Sequence, residues 1–423
     1  MLCSMLKRIH FLLFTVVLVI GCRVAAENRG ASKAERIDEL VARYAKYGYL
    51  NGAVLVAERG KIIYEKGVGE ANMVSHVPNT PRTKFGIASL TKQFTAVLVL
   101  QQVAEGKIQL GGKVSNYLPW YRKDTGERMT IEEVLHHTAG LAADFDMLEF
   151  GDSEAAARHY EPQAFAAKFC QQNLLSEPGT KWAYSNCGYN LLGLILERVT
   201  GKSFGDLLRE RLLEPMGMKD TGMDRNDLVQ LGGAAGYVRH AGPRYTPGPY
   251  QDRTHFFAAG GMYSTAEDLF RWSEAFSGDG FVPKEIREQM FKSGLNDWGY
   301  GWFAREITPG EPGAGSVLVE MRGDMTGNYF SWILLYPEQN DAIIVLRNGY
   351  GSTERLEQNI QAILFDTEPR MPSRNAKDLV ALAWLIPARW VASHRLRSVL
   401  IALFAAAAIW QATRRKKPRV TRL

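Results

Sequence analysis

Ser89 and Lys92 stand three residues apart in the stretch Phe85-Gly-Ile-Ala-Ser-Leu-Thr-Lys92. On a helix, that spacing sets both side chains on one face, a single turn apart. A serine hydroxyl is a poor nucleophile until a neighbour takes its proton. A lysine amine can take it only when burial or a nearby positive charge keeps it largely neutral. A helix N-terminus at the serine would also stabilise negative charge developing there. Ser-x-x-Lys on its own also arises as a capping serine beside a solvated lysine, so the chemistry needs a further group. Tyr184-Ser-Asn186 offers one, between Pro178-Gly-Thr-Lys-Trp182 and the helical pattern Gly188-Tyr-Asn-Leu-Leu-Gly193. A phenol near Ser89 and Lys92 could share a proton with them, first as base and later as acid, and Asn186 could hydrogen-bond Lys92 or a substrate amide. His136 and His137 invite a metal reading. Neighbouring residues on a helix point about 100° apart and no third ligand is spaced nearby, so no metal is expected. Tyr263 and Trp272 read as packing residues. Asp144 and Asp146 read as solvated loop acids that could rim a cleft.

These residues need elements to position them. Ser32-Lys-Ala-Glu35 is a capping box, followed by Ile37, Leu40, Val41 and Tyr44 at helical spacing. Gly52–Ala57 and Lys61–Gly67 read as two strands around an Arg59-Gly60 turn. Ser89 to Glu105 reads as one long helix ended by Gly106. From about 108 to 250 helices and loops dominate: 131–137, 155–172, 189–200 and 204–213. Strand character returns after the Gly/Pro-rich loop 242–248, above all in Tyr329–Tyr336 and Ala342–Arg347, and a last helix spans about 352–365. Strands at both ends with helices between predict one antiparallel sheet assembled from both ends of the chain (about 30–107 and 251–368). A helical subdomain (about 108–250) follows from the middle, with a cleft where the two meet.

The chain has 423 residues and a net charge of +6, but that charge sits at its ends. Nine basic residues and no acid lie before Glu27 and after Ala412, which leaves 27–412 at −3. Removing 374–412, which nets +4, leaves 27–373 at −7. An acidic globular part excludes a nucleic-acid partner. Lys7 and Arg8 before the apolar run 11–20 make residues 1–26 a signal peptide, with cleavage before Glu27 preferred to lipidation at a lipobox ending in Cys22. Residues 374–395 read as an amphipathic juxtamembrane segment and 396–413 as a transmembrane helix. Within the latter, the uncharged run 398–413 is about 24 Å long at the usual helical rise. The basic tail 414–423 would be cytoplasmic. The expected setting is a bacterial inner membrane, with membrane lipid as partner of the anchor and the domain in the periplasm or exterior. Cys170 and Cys187 are expected as two buried thiols in preference to a disulfide.

Taken in order, five stretches resemble the serine β-lactamase and penicillin-binding-protein superfamily, in its class C β-lactamase-like branch. They are Phe85–Lys92, Leu135-His-His-Thr-Ala-Gly-Leu141, Pro178–Leu192, Glu214–Thr221 and Ala259–Leu269. The resemblance covers about 35–365 and implies an α+β (α/β) β-lactamase-like, DD-peptidase-like fold over 27–373. It implies acyl transfer without any cofactor on a small-molecule or peptide substrate. Ser89 would attack a carbonyl, Lys92 and Tyr184 would share the base role, and Asn186 would support the site. The backbone N–H groups of Ser89 and Asp324 would form the oxyanion hole. By the same parallel His137 orders its loop.

The sequence departs from this family at its third motif, Lys-Thr-Gly or His-x-Gly on the strand lining the cleft. The matching stretch is Met321-Arg322-Gly323-Asp324, so Met321 stands where Lys or His is usual. Strand alternation sends Arg322 to the opposite face unless a bulge intervenes, although it is kept among the supporting residues with Met321 and Gly323. His240-Ala-Gly242 spells His-x-Gly but lacks a following strand and is read as a decoy. The departure removes a cationic or hydrogen-bonding group from beside a substrate carboxylate. An esterase or peptidase is therefore expected ahead of an efficient β-lactamase. The rival expectation is a catalytically degenerate envelope-binding or scaffolding protein.

Overall fold

The capping box at Ser32 starts the first helix. Ser32 Oγ accepts the Glu35 N–H, and the Glu35 carboxylate takes the Ser32 N–H at 2.7 Å. The computed structural model describes residues 31–142, 153–240, 244–278, 280–325, 327–350 and 356–373. The expected leader, the segments from 374 onward and the loop acids Asp144 and Asp146 lie outside the described residues. Among the described residues no helix is long and apolar enough to cross a membrane.

In chain order the elements used below are α1 (Lys33–Lys46), β1 (Gly52–Glu58), β2 (Lys61–Val68), α2 (Thr91–Ala104), α3 (Ile131–Leu135), α4 (Asn186–Thr200), α5 (Phe257–Gly260), α6 (Ala266–Glu274), β3 (Phe303–Glu306), β4 (Val317–Met325), β5 (Tyr329–Tyr336), β6 (Asp341–Arg347) and α7 (Leu356–Leu364). The six strands form one antiparallel sheet in the order β3-β4-β5-β6-β1-β2. β1 from the N-terminal part lies beside β6 from the C-terminal part, with Ala53 opposite Leu346 and Leu55 opposite Ile344.

Every residue of β6 and nearly every residue of β1 is buried, because both faces of the sheet are covered. Val54, Val56, Leu334, Ile343 and Val345 pack on one face with α1 and α7. Ala53, Leu55, Val319, Met321, Ile333, Ile344 and Leu346 join the other layer, which continues into α2, α4 and α6. The site lies on this second face.

The middle of the chain is less purely helical than its composition suggests. Tyr237–Arg239 and Tyr245–Pro247 pair as short strands, so His240 sits between two strands and a strand does follow it. Gly222–Met223 joins Phe85–Gly86 and Met262–Ser264 in a small sheet. The expected helix over 155–172 is two helices, Ser153–Ala157 and Pro162–Phe169, because Pro162 cannot continue a helix but fits a first turn. A disulfide joins Cys170 to Cys187, which corrects the expectation of two thiols. Folding brings the end of helix Pro162–Phe169 against the first turn of α4, with Cα atoms 5.4 Å apart, a proximity that composition does not carry.

Candidate active site

Ser89 does not begin an α-helix directly. It lies in a 3₁₀ turn, Ala88–Leu90, that runs into α2. Ala88 has φ +47°, a left-handed conformation that costs an alanine energy and persists only where its surroundings hold it. They do so on both sides. Ile87 N–H donates to Met262 O at 2.9 Å, and Ser331 Oγ on β5 donates to Ile87 O at 2.7 Å.

Lys92, on the first turn of α2, is fully buried. Its Nζ lies 3.1 Å from Ser89 Oγ, 2.7 Å from Asn186 Oδ1 and 2.8 Å from Ala259 O. Tyr184 OH lies 2.7 Å from Ser89 Oγ on the other side. Ser89, Lys92, Tyr184 and Asn186 are thus brought together.

Asn186 Oδ1 and Ala259 O carry no proton, so two Nζ hydrogens are committed to them. The third Nζ position faces Ser89 Oγ. It donates a proton there when Lys92 is an ammonium and offers a lone pair when Lys92 is an amine. Tyr184 can likewise donate to Oγ or, as a phenolate, accept from it. Ser89 therefore sits between two groups that can each take or return one proton without rearranging.

Tyr184 and Asn186 flank the N-cap of α4. Ser185 Oγ accepts the Gly188 N–H at 3.3 Å and donates to Ala142 O at 2.9 Å. One turn along α4, Asn190 Nδ2 donates to His255 O and its Oδ1 accepts the Ala259 N–H, fixing the segment whose carbonyl holds Lys92. Thr95 Oγ1 donates to Ala258 O at 2.7 Å from α2. Sequence reading missed Asn190, Thr95, Ala259 and Ser331. Asn190 alone left a signal, four residues after Asn186 and so on the same helix face. Tyr189 OH donates to Leu135 O, and burial raises its pKa well above the ordinary phenol value.

β4 completes the site. A Cβ on Gly323 would lie 2.1 Å from Ile87 O, so only glycine lets the strand approach the turn that carries Ser89. β3 pairs with β4 over Val317–Glu320 only. Met325 O accepts the Asn328 N–H across the β4–β5 turn, so Met325, Gly323 and Met321 direct their backbone groups toward β5. Alternation then directs those of Arg322 and Asp324 to the outer edge of the strand.

Met321 is buried on the face shared with Gly323. Arg322 is not a supporting residue of the site. With no bulge in the β4–β5 register, it lies on the other face, 4.0 Å over the Trp332 ring and 3.8 Å from Glu320. His240 is exposed and bonded to Thr246 Oγ1, away from these groups. His136 Nδ1 contacts Trp298 O, and no group of three His, Cys, Asp or Glu suited to a metal occurs among the described residues.

A strand-flanked 3₁₀ turn bearing Ser-x-x-Lys, faced by Tyr-x-Asn across a helix N-terminus, is the layout of the serine β-lactamase and penicillin-binding-protein superfamily. The Beta-lactamase family profile matches residues 35–367, and the chain belongs to that family. Protein flp of Staphylococcus aureus (strain MW2) is 28% identical over 326 residues, covering 74% of this chain but only 63% of its own length. Penicillin-binding protein 4* of Bacillus subtilis (strain 168) is 27% identical over 398 residues, covering 86% of this chain and 84% of that protein. Among solved structures, the octameric penicillin-binding protein homologue from Pyrococcus abyssi superposes with a TM-score of 0.67 at 26% identity, covering 79% and 78% of the two chains.

Proposed function

We propose that the chain hydrolyses an ester or amide through a Ser89 acyl-enzyme. The observation that carries this is the placement of Ser89 Oγ between Tyr184 OH at 2.7 Å and Lys92 Nζ at 3.1 Å. Lys92 and Tyr184 share the role of base during attack and return the proton to the leaving group. The backbone N–H groups of Ser89 and Asp324 stabilise the oxyanion, and water releases the acyl group. Met321 leaves the site face of β4 without the usual Lys or His, which favours esters and uncharged amides over β-lactams or peptides with a free carboxylate. The same residue is what favours the second reading, a degenerate protein that binds envelope components without turnover.

The test is to treat the full-length chain and a Ser89→Ala variant with a fluorophosphonate, a fluorescent penicillin and a p-nitrophenyl ester. Ser89-dependent labelling by the fluorophosphonate with ester turnover, and weak penicillin labelling, is the expected result. Absence of any Ser89-dependent labelling removes the enzyme reading and leaves the binding one. The location at a membrane, carried by the sequence from 374 onward, is also a proposal. Deleting 396–423 should release the protein from membranes, and persistence there would point to lipidation at Cys22.

A further inference from the structure

We infer that His137 is a positioning residue that holds Tyr184 at hydrogen-bonding distance from Ser89. The inference rests on the acyl-enzyme reading for its kinetic part and on geometry for the rest. α3 ends with Thr138 N–H donating to Glu133 O at 2.8 Å and His137 N–H donating to Val134 O at 3.2 Å. This is the pattern in which the residue after the cap adopts a left-handed conformation, and glycine is the default there. His137 fills that place with φ +58°. A side chain kept where glycine would be unstrained needs a use, and this one has two.

The same turn aims the His137 carbonyl and its ring at one segment. Ala183 N–H donates to His137 O at 2.8 Å, and Ser185 N–H donates to His137 Nδ1 at 3.2 Å. One residue therefore grips the backbone immediately before and immediately after Tyr184. The imidazole also packs on the Tyr184 ring at 4.5 Å between centroids, and is backed by Trp298 at 4.6 Å and Tyr189 at 5.1 Å. Because Nδ1 accepts, the proton of the neutral ring is assigned to Nε2. Nε2 is buried without a hydrogen-bond partner, a standing cost of enclosing the ring among aromatic walls. Tyr184 leaves this clamp with its OH on Ser89 Oγ and Lys92 Nζ 4.7 Å from its ring centre, so slack in the clamp becomes slack in the 2.7 Å contact with Ser89.

Asparagine is the discriminating replacement. It tolerates the left-handed region, and its Oδ1 occupies the same bonded position as histidine Nδ1. Full-length His137→Gly, His137→Ala and His137→Asn are compared by p-nitrophenyl ester kinetics, thermal unfolding and amide hydrogen exchange. His137→Gly removes the strain and keeps the carbonyl grip, so it should fold. Its kcat is expected to fall roughly 10- to 100-fold with KM within about threefold, as for a loss of geometry at the reacting group. Exchange at Ser185 should accelerate. His137→Asn should restore both to within severalfold of the parent, and His137→Ala should follow His137→Gly should the glycine variant fail to fold. An unchanged kcat in a folded glycine or alanine variant, or an asparagine variant no better than either, overturns the inference. If the parent chain shows no Ser89-dependent turnover, the acyl-enzyme reading fails and exchange at Ser185 decides the clamp. Equal protection in the parent and glycine variants would then overturn it.

Discussion

Gly323→Ala tests whether the approach of β4 to the nucleophile turn is what forms the oxyanion pocket. The added Cβ would sit 2.1 Å from Ile87 O and 2.2 Å from Ser331 Oγ, whereas real Cβ contacts essentially never fall below 3.0 Å. Ser331 can rotate away, but only by giving up its hydrogen bond to Ile87 O. Ile87 O is backbone and cannot rotate, so strand and turn must separate by about 1 Å. That displacement falls between Asp324 and Ser89, whose N–H groups must converge on one oxygen to form the proposed oxyanion hole. A 1 Å misplacement costs about 10²-fold and an absent oxyanion donor about 10²–10³-fold in kcat, so a loss in that range is expected with KM little changed. Overpacking should also destabilise by about 1–3 kcal/mol. The assay is p-nitrophenyl ester turnover of the full-length chain beside thermal unfolding, with Ser331→Ala as control. The control loses the hydroxyl without spreading the strands and should lose much less activity. A Gly323→Ala protein that keeps kcat within roughly threefold would refute the argument, because the pocket would then not depend on this approach.

Lys92→Met should lower acylation by about 10²–10⁴-fold, read as the rate of fluorophosphonate labelling, with thermal unfolding showing the fold retained. Met321→His restores the His-x-Gly pattern on the site face of β4 and should raise penicillin labelling about tenfold over the parent, with no gain counting against the role given to the missing group. Burial first, then the Lys92 and His136 charges, holds the His137 pKa well below its ordinary value, so the folded protein keeps this ring neutral. The stability it supports is complete above about pH 6.5 and is lost as pH falls toward the folded value; urea midpoints at pH 7.5 and 5.5 should differ less in His137→Asn than in the parent. Replacing Cys170 and Cys187 together by Ala should cost about 3 kcal/mol in urea unfolding, as expected for a cross-link spanning 17 residues.

Ser89, Lys92, Tyr184 and Asn186 were legible because each pair lies within one short segment, Ser-x-x-Lys and Tyr-x-Asn, that the resemblance to the superfamily singles out. The strand runs were legible locally too, since β5 is apolar apart from Ser331 and β6 is apolar between Asp341 and Arg347. What was not legible came from contacts across long separations. Ser331 reaches Ile87 across 244 residues and Thr95 reaches Ala258 across 163. A serine inside an apolar strand and a threonine inside a helix carry no local mark of such partners. The Cys170–Cys187 bond shows the limit from another side. The cysteine count set no pairing, and only the docking of helix Pro162–Phe169 against α4 brings the two together.

Met321 and Arg322 show why residue type and residue direction must be read separately. Both occupy the third motif, and a reading by type alone would let the arginine stand for the absent lysine. In a strand, one residue of register decides between the cleft and the opposite face. A slip that brought Arg322 into the cleft would set Arg322 or Asp324 in place of Gly323 against Ile87 O, where even a methyl group finds 2.1 Å. The β4–β5 turn resists the same slip, with Gly327 at φ +79° and the Asn328 N–H bonded to Met325 O. Arg322 meanwhile has its own place over Trp332, beside Glu320. The lack of a cation on the site face of β4 is therefore enforced by packing. The substrate preference proposed for this chain would follow from the glycine that fixes the register as much as from the methionine that the register presents.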